Sequence, residues 1–305
     1  MKKSKHVIII GGGIIGGFAA YYLLEKGWSV TVVDKDRFGQ GASNGNCGLI
    51  VPNHILPLNS LGILTKAFKW MLSEDSPLYI KPRLDASLIK WFCRFARHAH
   101  PKAVKKSARG RHALLKSSFD LYPAFIAAEK VACDWDMGGS LHIYRSVKDW
   151  NAYRRTDAVL KSFGVEARAL DREAVHRLVP GLGNGIGGGW LYRQTAHLRP
   201  ERLMSELRRI LLSHGARILE NCPVQTFQQK NGHAAAIVTG DTTLEADAFV
   251  LATGARAPEF EKVLGCSLPI QPGKGYSVTM NRPQEFPGIP CFFEEQSIVS
   301  TPWPD

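Results

Sequence analysis

Hydrophobic residues near the N-terminus fall into three short runs with different spacings. Val7 to Ile10 is an uninterrupted apolar run, which is typical of a buried parallel strand. Ile14 to Lys26 is long enough for a helix, and Gly27 is expected to end it in the left-handed conformation. Val30 to Val33 repeats the strand pattern with β-branched residues. The pattern therefore predicts a strand–helix–strand unit.

A glycine-rich turn joins the first predicted strand to the helix, with the spacing Gly11-x-Gly13-x-x-Gly16. The first glycine allows a tight turn, the second lets the backbone approach a pyrophosphate, and the third lets the helix pack on the strand. Ile14 and Ile15 follow in the first turn of the helix, where free N–H groups and the positive end of the helix dipole favour a phosphate. The turn therefore predicts a phosphate site.

An acidic residue ends the second predicted strand. Asp34 follows the glycines by about 20 residues, where a carboxylate accepts hydrogen bonds from both hydroxyls of an adenosine ribose. Lys35 comes next and is included in the predicted site. A glycine turn with this strand, helix and acid around it is far more specific than the glycines alone, and it predicts a dinucleotide site.

The bulk composition limits the protein class. With 305 residues, 45% hydrophobic and 22% charged, the sequence indicates a soluble globular protein of one or two domains. The apolar run near the N-terminus is interrupted by glycines, so we expect neither a secretory leader nor a membrane span, and a cytoplasmic location. A net charge of +12 favours anionic partners: a membrane surface, an acidic substrate or a phosphate-bearing cofactor. No nucleic-acid-binding motif is present, and no nucleic-acid partner is predicted.

The six cysteines are widely scattered. They form neither a CxxC motif nor a Cys/His cluster, so we predict no metal site and no disulfide framework. We expect reduced and mostly buried cysteines.

A basic segment follows, with Leu88, Trp91, Phe92 and Phe95 at helical spacing and a cluster of Lys and Arg after Pro101. Two interpretations remain open. The aromatic stripe packs on its own domain beneath a solvated basic face, which we favour, or the segment rests on anionic lipid.

The rest of the chain alternates strands and helices. The patterns predict a strand in "GSLHIYRS", a helix near 149–163, a short helix in "LDREAVHRLVP" and a longer one in "RPERLMSELRRILLSHG". Strands then return in "GARILEN", "CPVQTFQQ", "HAAAIVT" and "LEADAFVLATGA".

Three stretches resemble the FAD-dependent amino-acid oxidoreductases, the D-amino-acid oxidase family: "GQGASNGNCGLIVP", Cys222-Pro223-Val224 and "ADAFVLATGA". The resemblance is strongest to the bacterial D-amino-acid dehydrogenase small subunit, through segments such as "PNHILPL", "KAFKWML" and "LIKWF". It implies FAD, bound non-covalently, rather than NAD. It also implies further cofactor-binding residues: Ala42, Ser43, Cys47, Gly48 and Leu49 beside the pyrophosphate and the flavin ring, Val224 at the adenine, and Thr253 and Gly254 beneath the dinucleotide.

The implied fold is α/β, with a Rossmann-like FAD-binding domain from 1–56 and 195–265. A second α+β substrate domain, an antiparallel sheet plus helices, would come from 57–194 and 266–305. Chains of this family continue through an arginine-bearing strand and a glycine-rich segment, so we expect this sequence to be truncated after Asp305.

The implied reaction is oxidation of a D-amino acid, or of a cyclic imino acid such as a proline derivative, by hydride transfer to flavin N5. The imino product would hydrolyse to a 2-oxo acid and ammonia, and quinone or oxygen would take the electrons. A glycine, sarcosine or opine oxidase of the same fold and a non-catalytic remnant remain alternatives. No catalytic residue is assigned; His54, Lys274 and Tyr276 are candidates, each as well explained by packing or a turn.

Overall fold

The computed structural model describes residues 4–59 and 85–304 of the chain, and every structural statement below concerns those residues. The helices are α1 (Ile14–Glu25), α2 (Ala86–Arg97), α3 (Pro101–Glu129), α4 (Val147–Ala152), α5 (Arg154–Lys161), α6 (Arg172–Leu178), α7 (Pro200–Ser213), α8 (Glu261–Leu264) and a 3-10 helix, Gly254–Phe260. The strands are β1 (His6–Ile10), β2 (Ser29–Val33), β3 (Leu49–Ile50), β4 (Ser140–Tyr144), β5 (Arg168–Leu170), β6 (Gly188–Tyr192), β7 (Ala196–His197), β8 (Arg217–Leu219), β9 (Thr226–Lys230), β10 (His233–Thr239), β11 (Thr242–Glu245), β12 (Ala248–Leu251), β13 (Cys291–Phe293) and β14 (Ile298–Ser300).

The chain divides into two compact units, each discontinuous in sequence. Unit 1 contains Met1–Asn46, Val131–Cys133 and Pro200–Ser277. Unit 2 contains Cys47–Lys130, Asp134–Arg199 and Val278–Asp305. These bounds differ from the predicted domain limits at 56, 195 and 265, and the assignment of an FAD domain and a substrate domain to them stays a prediction.

A parallel sheet forms the centre of unit 1, with the strand order β12-β1-β2-β8. Ile9 pairs with Val32 on one side and with Val250 on the other. Val7 to Ile10 are all buried, as expected for the central strand of a sheet covered on both faces. The predicted strand–helix–strand unit is thus present as β1, α1 and β2.

Helix α1 lies close to the sheet because its inward face is built from small residues. Gly16, Gly17 and Ala20 are buried, and a Cβ on Gly16 would lie 3.3 Å from Ile9 Cγ2 of β1. A Cβ on Gly17 would lie 2.5 Å from Leu207 Cδ2 of α7, so the small residues also let α7 pack closely on α1. Gly27 follows the helix with φ of +77°, as predicted, and its N–H donates to Leu24 O.

An antiparallel meander, β11-β10-β9, completes unit 1. Its residues Phe227 and Ile237 share a hydrophobic cluster with Ile8, Ile10 and Val33 of the parallel sheet. This packing fixes the segment that enters the meander, residues 222–225, beside the end of β2.

Unit 2 is built on a five-stranded sheet with the order β14-β13-β4-β6-β5. All neighbours are antiparallel except β13 and β4. Leu141 and Ile143 belong to one apolar cluster of this unit, and Tyr144, Trp190 and Tyr192 to another. Strands β3 and β7 form a separate two-stranded ribbon.

Three expectations need correction or lie outside the structure. The helix expected near 149–163 is two helices, α4 and α5, joined at Tyr153. Of the cysteines, only Cys133 and Cys291 are buried, so the expectation of mostly buried cysteines is wrong; no disulfide links the cysteines of the described ranges. The segment "KAFKWML" lies outside the described residues.

Gly110 offers a test of helix α3. It lies within α3, and a Cβ built on it would have no heavy atom within 4 Å. Alanine loses less backbone entropy than glycine in a helix, so Gly110→Ala should raise the free energy of unfolding by about 1 kcal/mol. Urea unfolding followed by circular dichroism measures the change; a lower free energy would contradict this description of α3.

Candidate dinucleotide site

Unit 1 contains a cavity of about 360 Å³ at the carboxyl ends of β1, β2 and β12. Ligands of open α/β sheets bind at this edge, where loops leave the strands. The predicted site residues that line the cavity are Gly11, Gly13, Ile14, Ile15, Asp34, Lys35, Ala42, Ser43, Val224, Thr253 and Gly254. The structure therefore brings together residues from four separated parts of the sequence.

The glycine turn cannot carry side chains without moving the backbone. Gly11 has φ of +107°, and a Cβ on it would lie 2.4 Å from Ala252 O of the neighbouring segment. A Cβ on Gly16 would lie 1.8 Å from Gly11 O. Gly16 does not line the cavity; its absent side chain lets α1 begin directly against the turn.

The N-terminus of α1 lies at the cavity wall. Gly13 is the N-cap, and the Ile14 N–H donates to Ser43 Oγ at 2.9 Å. No acidic residue occurs in the first turn to neutralise the helix dipole. This end of the cavity therefore combines a positive dipole with a small polar hydroxyl, which suits a diphosphate.

Two backbone N–H groups hold the carboxylate of Asp34 in place. Its Oδ2 accepts from the Gly12 N–H at 2.6 Å, and its Oδ1 accepts from the Asp36 N–H at 2.8 Å. Each carboxylate oxygen has a further acceptor site. Asp34 is thus oriented in the cavity wall to accept hydrogen bonds from a ligand.

Two further segments close the cavity. The Cys222 N–H donates to Asp34 O at 2.7 Å, which holds the loop carrying Val224 against the end of β2. At the end of β12, Thr253 Oγ1 is buried, and no residue of the described ranges bonds it. Buried hydroxyls are seldom without a partner. An unsatisfied hydroxyl in a cavity wall is a suitable contact for a polar ligand.

Among the cavity residues that were not predicted from the sequence are Arg256, Glu259 and Phe260, all on the 3-10 helix. Short 3-10 segments have no apolar repeat from which to recognise them. The one available signal is their position directly after the Ala-Thr-Gly stretch that ends β12.

Three predicted cofactor residues lie in unit 2 and do not line the cavity. Leu49 is in β3 and pairs with His197 of β7, and the Gly48 carbonyl accepts from the Leu198 N–H. The Cys47 carbonyl accepts from Thr301 Oγ1 at 2.9 Å. Their role toward a cofactor stays a prediction.

The catalytic candidates are separated in the structure. Lys274 and Tyr276 lie on an exposed segment of unit 1 without helix or strand, and Tyr276 is 96% exposed. His54 belongs to unit 2, where its ring contacts His142 and Phe292 edge-on. The described geometry gives none of the three a hydrogen-bonded catalytic partner.

His142 was not singled out from the sequence, yet it is the more constrained histidine of unit 2. It is buried in β4, stacks on Phe292, and its Nδ1 lies 2.6 Å from Glu294 Oε1. Its position at the centre of a strand gives no sequence signal, because one polar residue in an apolar run is most often structural.

The titration of His54 tests how its side chain packs in unit 2. His54 is exposed as a residue, but its ring packs against the rings of His142 and Phe292. Desolvation of the ring by this packing, with the charge of His142 adding to the effect, lowers the pKa of His54 from its ordinary 6.5 to about 4. The unfolded chain therefore binds this proton first, and stability should fall as the pH drops from about 6.5 to 4.

NMR of the histidine Cε1–Hε1 groups should show one resonance with a midpoint near pH 4. That resonance should disappear in His54→Gln. A His54 midpoint at the ordinary value would contradict the described packing.

Neither a metal cluster nor a membrane helix was found in the described ranges. No three or more His, Cys, Asp or Glu side chains are arranged there to hold a metal ion. No helix there is both long and apolar enough to cross a bilayer.

Comparison with known families identifies the family of the chain. The family described as "FAD dependent oxidoreductase" (DAO) matches residues 6–305, nearly the whole chain. The chain belongs to the DAO family. The predicted family, cofactor and enzyme class, an FAD-dependent oxidoreductase, are therefore confirmed.

Curated relatives in this family are D-amino acid dehydrogenases. The protein from Agrobacterium fabrum is 30% identical over 97% of this chain and 70% of its own length. That from Cereibacter sphaeroides is 31% identical, over 97% of this chain and 66% of its own length. The chain thus spans about two thirds of the length of the curated relatives it matches.

Solved structures support the fold. Glycine oxidase from Bacillus cereus matches 99% of this chain and 69% of its own, with a TM-score of 0.68 and 18% identity. An L-amino acid deaminase from Proteus myxofaciens matches 88% of this chain and half of its own, with a TM-score of 0.61 and 17% identity. These likenesses confirm the predicted α/β class with an FAD-binding fold.

The polar groups in the cavity of unit 1 match the nucleotide half of FAD. A fixed carboxylate at Asp34, a helix N-terminus at Gly13 and an unsatisfied hydroxyl at Thr253 are the groups that a ribose and a diphosphate require.

Proposed function

We propose that this chain carries the FAD site of an enzyme that oxidises a D-amino acid, or a cyclic imino acid such as a proline derivative, to an imino acid. The observation that carries the proposal is the cavity of unit 1, with Asp34 and the α1 N-terminus in one wall. The identity of 30% to D-amino acid dehydrogenases supports the amine substrate and its configuration. Hydrolysis of the imino acid formed from a D-amino acid would release a 2-oxo acid and ammonia, whereas the cyclic imine formed from a proline derivative would keep its nitrogen on hydrolysis.

The residues of the cavity would bind and orient the cofactor. Asp34 would accept hydrogen bonds from the ribose, and the α1 N-terminus with Ser43 would hold the diphosphate. Thr253 would donate its hydroxyl hydrogen to the same group. Bound FAD supplies a hydride acceptor at flavin N5, and the protein's task is to position the substrate carbon against it.

The substrate side of the enzyme is proposed to come from 57–194 and 266–305, with the FAD domain from 1–56 and 195–265. His54, Lys274 and Tyr276 remain candidates for contact with substrate. No strong base is required if the amine arrives neutral. The curated relatives are longer than the part of them that this chain matches.

Anaerobic reduction of the flavin tests this proposal. The purified, FAD-loaded chain is mixed with D-amino acids, their L-enantiomers, proline derivatives, glycine, sarcosine and an opine, and the visible spectrum is recorded. Bleaching by D-amino acids or a proline derivative, and not by L-enantiomers, is the expected result. Bleaching by glycine, sarcosine or the opine alone would favour the alternative oxidase. A flavin that no amine reduces would contradict the activity of this chain and leave a non-catalytic remnant.

The electron acceptor is proposed to be a quinone or oxygen. Re-oxidation of the reduced chain by each acceptor, followed by stopped-flow absorbance, separates them. Because amine substrate is absent from this half-reaction, its outcome is independent of substrate choice.

A cytoplasmic location with peripheral contact to the inner membrane surface is proposed from the helices α2 and α3. Between Ala86 and Phe119 the sequence has nine Lys or Arg and no Asp or Glu. No residue of α2 is buried, and its Trp91 and Phe95 rings stack 5.0 Å apart. Half-buried aromatic residues next to exposed lysines fit anionic headgroups.

Sedimentation with lipid vesicles tests that contact. The chain should bind vesicles with phosphatidylserine and not vesicles of phosphatidylcholine, and added salt should release it. Lys105→Glu/Lys106→Glu, at two exposed positions of α3, should abolish binding. Equal binding to both vesicles, or to neither, would contradict the proposal and favour a solvated basic face.

A further inference from the structure

One wall of the cavity is the 3-10 helix Gly254–Phe260, and Arg256 on this helix lines the cavity. Arg256 Nε lies 2.8 Å from Glu259 Oε1, and Arg256 Nη2 lies 2.8 Å from Glu259 Oε2. Such a two-bond pair fixes the plane of the guanidinium group. The two flat faces of the group are not used by these bonds.

A second ion pair lines the same cavity. Lys35 and Asp36 follow β2, line the same cavity and pair with each other. The bond from Glu259 raises the pKa of Arg256, and Asp36 adds to the increase. The bond from Arg256 lowers the pKa of Glu259, and Lys35 adds to that decrease. The two pairs therefore lie within electrostatic range of each other.

Asp34 indicates which part of a dinucleotide lies between these pairs. A ribose bonded to Asp34 has the diphosphate on one side, toward the α1 N-terminus, and the base on the other. Lys35 and Asp36, next to Asp34 in the chain, line the same cavity as Val224 and Arg256, and the charge of Asp36 acts on Arg256. An adenine ring beside these residues would lie next to the guanidinium group of Arg256, whose plane is fixed. Arginine side chains stack on aromatic rings with the two planes parallel.

We propose that Arg256, held in plane by Glu259, stacks on the adenine ring of the dinucleotide in this cavity. The inference rests on the proposed function for the cofactor alone and is independent of the substrate. It adds a binding residue to the site, and it assigns Glu259 the role of positioning the guanidinium group.

A contribution to the stability of the 3-10 helix is not a sufficient explanation of the Arg256–Glu259 ion pair. Arg256 and Glu259 are about half exposed, and exposed ion pairs contribute little to folding. A matched pair exists in unit 1 on α7, where Arg209 Nη2 lies 2.8 Å from Glu206 Oε2 at the same i,i+3 spacing and a similar arginine exposure. Neither residue of the α7 pair lines the cavity, so Arg209→Ala is the control.

Calorimetric titration with ADP and with FAD tests the inference without any amine. Arg256→Ala should weaken both ligands by the same factor, about tenfold. Arg256→Lys keeps the positive charge but not the planar group, and its affinity for both ligands should fall by nearly the same factor. Glu259→Gln should weaken the binding of both ligands about threefold, because the guanidinium plane is less firmly held. Arg209→Ala should match the parent chain.

Four outcomes would overturn the inference: Arg256→Ala within twofold of the parent chain, full rescue by Arg256→Lys, an equal loss in Arg209→Ala, or a parent chain that binds neither nucleotide. Full rescue by lysine would indicate a simple charge contact with phosphate. If ADP and FAD behave as expected while no amine reduces the flavin, the proposed substrate fails and the adenine contact stands.

Discussion

Asp34→Ala is expected to weaken FAD binding by about a hundredfold or more. The carboxylate would no longer bond the ribose hydroxyls, and hydrogen bonds to charged groups contribute about 1.5–3 kcal/mol each. The same change removes the acceptor of the Gly12 and Asp36 N–H groups, so the phosphate turn also loses its support. Quenching of flavin fluorescence during titration of the chain measures the dissociation constant.

A matched control for this variant lies at the other end of β1. Asp247 Oδ2 accepts from the His6 N–H at 2.7 Å, so it too is an aspartate bonded to the backbone of the parallel sheet. Asp247→Ala should reduce stability slightly and leave the FAD dissociation constant unchanged. If Asp34→Ala binds FAD as tightly as the parent chain, the ribose contact assigned to Asp34 is wrong.

Gly16→Ala should have the largest effect on folding of any substitution in the glycine turn. The added Cβ would lie 1.8 Å from Gly11 O, a backbone atom that cannot move aside without shifting α1 from β1. Overpacking of this kind costs about 3 kcal/mol, and FAD binding should be lost with it. Urea unfolding measures the first effect, and flavin retention after gel filtration measures the second.

Gly110→Ala is the natural comparison, because the same substitution in open space is expected to stabilise the chain. If Gly16→Ala unfolds at the same urea concentration as the parent, then α1 does not pack on β1 as described. A variant that is stable but colourless would instead place the effect in the phosphate turn alone.

The strand–helix–strand unit could be predicted because its signals are local. A β-branched run, a glycine turn, a helix ended by Gly27 and a second run ended by Asp34 each depend only on neighbouring residues. Val224 and Thr253 are different, since they reach the cavity through the pairing of β1 with β12 and the packing of the meander on the sheet. Resemblance to a family indicated them; spacing alone could not.

Other features depend on tertiary contacts that leave no pattern in the sequence. Arg256 and Glu259 lie on a 3-10 helix without periodicity, and their charges resemble those of any exposed loop. The helix expected near 149–163 breaks at Tyr153, whose ring contacts Trp190 and whose hydroxyl bonds that of Tyr192. These contacts with β6 fix the break, and no proline or glycine marks it.

The central claim is that unit 1 binds FAD through Asp34 and the N-terminus of α1. The most direct test is the visible spectrum of the purified chain after incubation with FAD and removal of free flavin, recorded in parallel for Asp34→Ala and Asp247→Ala. The account predicts an oxidised-flavin spectrum at one FAD per chain in the parent and in Asp247→Ala, and a colourless Asp34→Ala. A colourless parent chain, or flavin retained equally by all three proteins, would contradict it.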